Sequence, residues 1–522
     1  MSSSLQNRSR QFLWHPCTQM KSLEAMPPLA IVRGEGPWLI DESGRRYVDA
    51  ISSWWVNLFG HANPRINAAI IDQLGRIEHV MLAGCTHEPV VELSERLSRL
   101  TGLGHAFYGS DGASATEIAL KMSFHYWRNV GRTRKTQFVS LQNGYHGETL
   151  GALSVTDVAL FKDQYAPLLR QSVQMPTPDV RLAEPGETAE SYALRCADKL
   201  EAHLAEHADE TAAFILEPLV QGAAGMAMYH PVYLSRAREI CDRHQVHLIA
   251  DEIAVGFGRT GTMFAFDQAC SISQATSNAE TASPSRSRRS APAESGGRTS
   301  RRTGTMFDFE QAPSASQATS NAETASPSRS RCSAPAESGG RASRPTGTLF
   351  ACEQATLRPD FMCLSKGITG GYLPLSCVLT TDEVYAAFYA DETARGFLHS
   401  HSYTGNPLAC RAALAVLDIF ESEQVLAANH AKADEFSSVL AEVAAHPRVS
   451  HFRHLGMIWA FDVNDARPGF SARWYQEALT HGVLMRPIGN SVYFMPPYVI
   501  NYEDMVLMAK CALTLLDSVV AG

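Results

Sequence analysis

Two hydrophobic patterns alternate along the chain. Short runs rich in apolar residues predict buried strands over 214–216, 246–250, 361–364 and 375–381. Between them, apolar residues return every three or four positions. Ile118, Met122 and Tyr126 mark one such helix through Trp127, and Ser114 with Glu117 fits a capping box at its start. A polar connection and an amphipathic helix follow over 175–210, and Trp38 to Asp49 reads as two strands around a Glu42-Ser43-Gly44 turn. Strand, helix and strand succeed one another to about residue 380, which predicts an α/β fold: a mostly parallel sheet of seven-stranded type with helices on both faces. The last part alternates helices with short strands such as 458–463, as a smaller α+β domain does.

One stretch breaks both patterns. Residues 260–302 and 303–345 are two copies of one 43-residue unit that differ at seven positions, Ala265/Asp308 and Cys270/Pro313 among them, and a third partial copy starts at Thr346. Each copy offers only Met-Phe-x-Phe as an apolar cluster, too little to offset the entropy of ordering so long a Ser/Ala/Arg/Pro-rich tract. This predicts a disordered insertion over 262–347. It divides a large domain into 61–261 and 348–410, with residues 1–60 joining a small domain over 411–522.

Composition narrows the function. At 45% hydrophobic and 19% charged residues, the chain can bury a sizeable core. Its net charge of −9 argues against nucleic acid as a partner, and no apolar run approaches a membrane span. The 11 cysteines show no metal-ligand spacing, which suits reduced thiols in a cytoplasmic protein. Met1 to Gln11 reads as a frayed polar terminus.

The chemistry concentrates at strand ends. Lys366 follows the run 361–364, and Asp251 ends the run 246–250. In an open α/β sheet, ligands bind in the crevice outside the carboxyl ends of the strands. A lysine able to form a Schiff base, beside a carboxylate able to keep a pyridine nitrogen protonated, is what pyridoxal phosphate chemistry needs. The Gly109–Gly112 turn feeds a helix N-terminus suited to phosphate, and Tyr145, flanked by Gly144 and Gly147, can stack on a flat ligand. Arg486 ends another apolar run and suits a substrate carboxylate. His399 and His401 lack further ligands at metal-binding spacing, so no metal site is expected.

Taken together, these stretches resemble the class III aminotransferases of the pyridoxal phosphate fold-type I group. The resemblance runs from about Phe12 to Leu516 and is interrupted only by the repeats. Trp14-His15-Pro16, Ser53-Trp54-Trp55, Tyr145-His146-Gly147, Glu217-Pro218, Gly256 to Gly261 and Pro496-Pro497-Tyr498 point to the biotin-synthesis branch. The resemblance implies pyridoxal 5'-phosphate as cofactor, with S-adenosylmethionine as amino donor and 8-amino-7-oxononanoate as acceptor; lysine as donor, or another class III substrate pair, is the alternative. A non-catalytic scaffold carried by the repeats is disfavoured by the intact Asp251 and Lys366. Lys366 would carry the catalysis, Asp251 would pair with the ring nitrogen, and Tyr145 would stack on the ring. Gly112 and Ala113 would hold the phosphate, completed across a homodimer by Ser402. Trp54, Trp55, Ser400 and Arg486 would bind substrate. Cys17, Ala113 and Ser402 stand where many members carry tyrosine, serine and threonine.

Overall fold

The computed structural model describes residues 4–269, 357–464 and 466–518. In chain order the strands are β1 (Ile31–Glu35), β2 (Trp38–Asp41), β3 (Arg46–Asp49), β4 (His105–Gly109), β5 (Gln137–Leu141), β6 (Val173–Met175), β7 (Thr211–Leu216), β8 (Val220–Gln221) and β9 (Ala227–Met228). They continue with β10 (His247–Asp251), β11 (Phe361–Leu364), β12 (Ser376–Thr380), β13 (Val449–Leu455), β14 (Ile458–Val463), β15 (Val483–Leu484) and β16 (Ser491–Phe494).

Seven of these form the central sheet, in the order β4-β12-β11-β10-β7-β5-β6. All neighbours pair in parallel except β12, which runs antiparallel to both β11 and β4. The apolar character of these runs follows from burial on both faces. Phe361 and Cys363 of β11, with Ile249 of β10, pack against Ile118 and Met122 of the helix Gly112–Asn129. Met362 and Leu364 face the other side, toward the helix Pro407–Ser422. Leu248 and Ala250 share that side with the helices Ala189–His207 and Val232–His244. Each such Leu, Ile or Phe contributes roughly 1.5–3 kcal/mol by leaving water. A second sheet, β1-β2-β3-β15, ties the N-terminal segment to the C-terminal part through the parallel β3–β15 pair, and β13-β14-β16 form an antiparallel sheet. No helix among the described residues is long and apolar enough to cross a membrane.

Three local readings change. Residues 5–12, expected to fray, form a helix capped by Ser4, whose hydroxyl accepts from Asn7 N at 3.3 Å; none of its residues is buried. The capping box does not form at Ser114. The helix starts two residues earlier at Gly112, and Asp111 Oδ1 accepts from Ser114 N at 2.9 Å. Glu117 instead accepts from Thr149 Oγ1 and Gly151 N, a use in the fold that no local pattern displays. Finally, Thr262 to Ala269, placed by sequence in the insertion, belong to the core. Phe264, Ala265, Phe266 and Ala269 are buried, and Glu252 accepts from the N–H groups of Ala265 and Phe266 at 2.9 and 2.7 Å. The rest of the expected insertion, 270–347, lies outside the described residues.

One buried group in the sheet makes stability depend on pH. His247, at the start of β10, bonds Ser123 Oγ at 2.9 Å and stacks on Trp127. Burial pulls its imidazole down to about 4, with Asp360 opposing the shift. A histidine buried neutral and free to charge when unfolded favours folding above its unfolded value of about 6.5, and this contribution fades as pH falls toward 4. The loss amounts to about 3 kcal/mol at most. Urea unfolding from pH 7 to 4 should therefore show a decline that His247→Gln flattens; an unchanged slope would place the acid sensitivity elsewhere.

Candidate active site

Five strand ends of the central sheet deliver residues to one cavity of about 270 Å³. β4 leads to Asp111, Gly112 and Ala113, and β5 to Tyr145, His146, Gly147 and Glu148. β7 leads to Glu217, and Asp251 ends β10, followed by Ile253 and Ala254. β11 adds Lys366, and Trp55 completes the lining. Lys366 has φ +43°, so the chain turns sharply as it leaves β11. Its Nζ lies 4.8 Å from the centre of the Trp55 ring. Burial lowers the Lys366 ammonium below the ordinary lysine value, with Asp251 and Glu217 acting against the shift.

Asp251 is held on both oxygens. Oδ1 accepts from Ile253 N at 3.1 Å, and Oδ2 lies 2.7 Å from His146 Nδ1. An ionised carboxylate only accepts, so the imidazole proton sits on Nδ1. Glu217, also buried, accepts from Tyr145 N at 3.0 Å and Gly222 N at 2.9 Å. Burial pushes its carboxyl up to about 7, with His146 opposing and Asp251 adding to the rise. Tyr145 donates its hydroxyl to Glu148 Oε1 at 2.9 Å, and burial raises its phenol well above the usual value. Close packing sets two glycines: a Cβ at Gly147 would lie 2.6 Å from Ala113 Cβ, and one at Gly222 would lie 2.9 Å from the Trp55 ring.

The tryptophans sit on an unusual turn. Ser52, Ser53, Trp54 and Trp55 have φ of +51°, +46°, +72° and +72°. Each L-residue in this region costs about 1–2 kcal/mol, so the surroundings must hold it. Trp55 N donates to Ile51 O, and Trp55 Nε1 donates to Tyr493 OH at 3.1 Å. Trp54 is exposed, with Arg486 Cζ 5.4 Å from its ring centre. Burial raises the Cys17 thiol, helped by Glu148 and opposed by Arg486.

The structure thus gathers Lys366, Asp251, Tyr145, Gly112, Ala113 and Trp55 around one cavity, with Arg486 against Trp54. Trp54, Arg486, Ser400 and Ser402 do not line it. Among the described residues no group of three or more His, Cys, Asp or Glu is placed to hold a metal; His399 and His401 bond each other, Lys121 and Ser110. Sequence reasoning assigned no role to His146, Glu217 or Glu148. The strand-end rule was the available signal for Glu217, which directly follows Leu216 of β7.

The residues fit pyridoxal phosphate. Asp111 takes the Ser114 amide; Gly112 and Ala113, which open the helix and so have no intrahelical partners for their N–H groups, line the cavity, as a phosphate site requires. A buried carboxylate lines the same cavity, as do the lysine and Tyr145.

Comparison with known proteins agrees. The model of the class-III aminotransferase family matches residues 19–274 and 339–511. The adenosylmethionine-8-amino-7-oxononanoate aminotransferase of Helicobacter pylori is 38% identical over 520 residues, covering 98% of this chain and 97% of the relative. The crystal structure of the enzyme of that name from Methanocaldococcus jannaschii aligns with TM-score 0.77 at 30% identity, over 98% of each chain. An amine transaminase from an uncultivated Pseudomonas species, solved in its PLP-bound form, aligns with TM-score 0.75 at 28% identity, over 97% of this chain and 98% of its own.

Proposed function

The chain belongs to the class III aminotransferases, and we infer that it moves an amino group from S-adenosylmethionine to 8-amino-7-oxononanoate, forming 7,8-diaminononanoate for biotin synthesis. The observation behind this reading is the convergence of Lys366, Asp251 and Tyr145 on one cavity, in a chain 38% identical to a relative named for those two substrates. Bound there, pyridoxal phosphate supplies an electron sink beside the carbon that loses or gains the amino group. The chain's own residues do the rest. Lys366, its neutral form favoured by burial, takes the proton from that carbon and returns it across the site. Asp251, fixed by His146 and Ile253, keeps a proton on the ring nitrogen. Gly112 and Ala113 N–H groups hold the phosphate, Tyr145 covers the ring, and Trp54 and Trp55 wall the substrate side. Arg486 grips the substrate carboxylate through paired hydrogen bonds. The working form is a cytoplasmic homodimer, in which Ser402 of the partner subunit completes the phosphate site and Ser400 of the partner subunit meets substrate.

The test uses the cofactor-loaded protein with no acceptor. Loss of the visible band of bound cofactor on adding S-adenosylmethionine supports the reading. Loss with lysine alone transfers the donor role to lysine, and loss with neither overturns the assignment. Arg486→Ala should raise KM for 8-amino-7-oxononanoate by about 10- to 100-fold, the worth of a charged hydrogen-bond pair, while the donor half-reaction changes by less than about threefold. Equal losses in both halves would remove Arg486 from acceptor binding.

A further inference from the structure

The left-handed turn Ser52–Trp55 contains no glycine or asparagine, the residues that adopt positive φ readily. Its ends are tied to backbone: Ser52 Oγ donates to Met495 O at 2.7 Å, and Trp55 N donates to Ile51 O at 2.8 Å. Its middle is held by one side chain. Ser53 Oγ donates to Asp49 Oδ2 at 2.6 Å, and His61 Nε2 meets the same oxygen at 3.1 Å. Asn57 Nδ2 bonds the other imidazole nitrogen, His61 Nδ1, at 3.1 Å. Asp49 is fully buried at the end of β3, which pairs with β2 and β15, so the carboxylate is a fixed point of the sheet. The turn sends one indole toward each of two cations, Trp55 to Lys366 and Trp54 to Arg486.

We propose that Ser53, Asp49 and His61 form a positioning clamp that locks this turn in its left-handed form and thereby sets the two tryptophans at the substrate wall. None of the three lines the cavity, so each acts through Trp54 and Trp55. Ser53 is itself exposed, and removing its hydroxyl leaves the core intact. The clamp rests on the reading above only for its choice of substrate.

The experiment compares Ser53→Ala with Ser53→Gly in the cofactor-loaded enzyme. Alanine keeps the steric cost of positive φ and loses the clamp, whereas glycine loses the clamp but needs none. Ser53→Ala should raise KM for the amino acceptor about tenfold, with kcat within about threefold, and Ser53→Gly should return KM to within about threefold of the unaltered chain. In a Trp54→Ala background, where one ring is gone, the Ser53→Ala increase should shrink to less than about half. Equal increases for alanine and glycine, no increase for alanine, or full additivity with Trp54→Ala would each overturn the clamp. The unaltered chain is assayed first with the same acceptor. Failure there counts against the substrate assignment, and failure confined to the variants counts against the clamp.

Discussion

Lys366→Ala should lower kcat by about 10⁴-fold or more, while the chain still folds and takes up cofactor through its other contacts. No neighbouring group can take over the proton. Tyr145 OH is committed to Glu148, and its phenol is held far above neutral. His146 Nδ1 is committed to Asp251, and Glu217 is buried with an oxygen on each of two backbone amides. Single-turnover kinetics with the amino donor, together with absorbance of bound cofactor after gel filtration, measures both parts. Turnover within about 100-fold of the unaltered enzyme would move the proton transfer to another residue.

Asp251→Ala should cost about 10³-fold in kcat, the scale of losing one preorganised charge at the reacting group. Its effect has two components, and Asp251→Asn separates them. Alanine removes the charge and also leaves His146 Nδ1–H buried without its acceptor, which costs about 1–3 kcal/mol of stability. Asparagine can keep its carbonyl oxygen on the Ile253 N–H and donate its NH2 to Nδ1 of the other His146 tautomer, and so spares most of that stability while still removing the charge. Both variants should therefore lose activity to a similar extent, while only alanine lowers the unfolding midpoint clearly. An asparagine variant with near-normal kcat would show that hydrogen bonding to His146, rather than charge, is what the reaction needs.

Where the sequence was informative, a local physical rule governed the structure. The run ending before Lys366 was legible because Pro359-Asp360 and Ser365 bracket four apolar residues, and β11 occupies those four positions. Asp251 was legible for the same reason, at the last residue of β10. The hairpin from Trp38 to Asp49 followed from its Gly-containing turn and forms as the antiparallel β2–β3 pair. What stayed hidden depends on partners far along the chain. Ser114 and Glu117 match a cap by spacing, yet Asp111 competes from a better position and Glu117 is drawn to Thr149. The reversal at Ser52–Trp55 carries no glycine to announce it, and one of its supports, Met495 O, lies 443 residues away. The Asp251–His146 contact spans 105 residues and two strand ends, so neither residue marks the other. Low complexity concealed Thr262 to Ala269, because composition averages over the few apolar residues that the core takes up.

That last segment has a consequence for how a duplicated gene sequence is tolerated. Glu252 grips the Ala265 and Phe266 amides from within the core, and burial holds its carboxyl up at about 8. Residues 303–312 repeat 260–269 at eight of ten positions, with Asp308 where the first has Ala265 and Glu310 where it has Asp267. An aspartate in the place of Ala265, which is wholly buried beside Glu252, would bring a second acid into a site that already resists ionising one. The seat around Glu252 should therefore favour the first copy over the second, so that copies which look interchangeable on paper are not equivalent there.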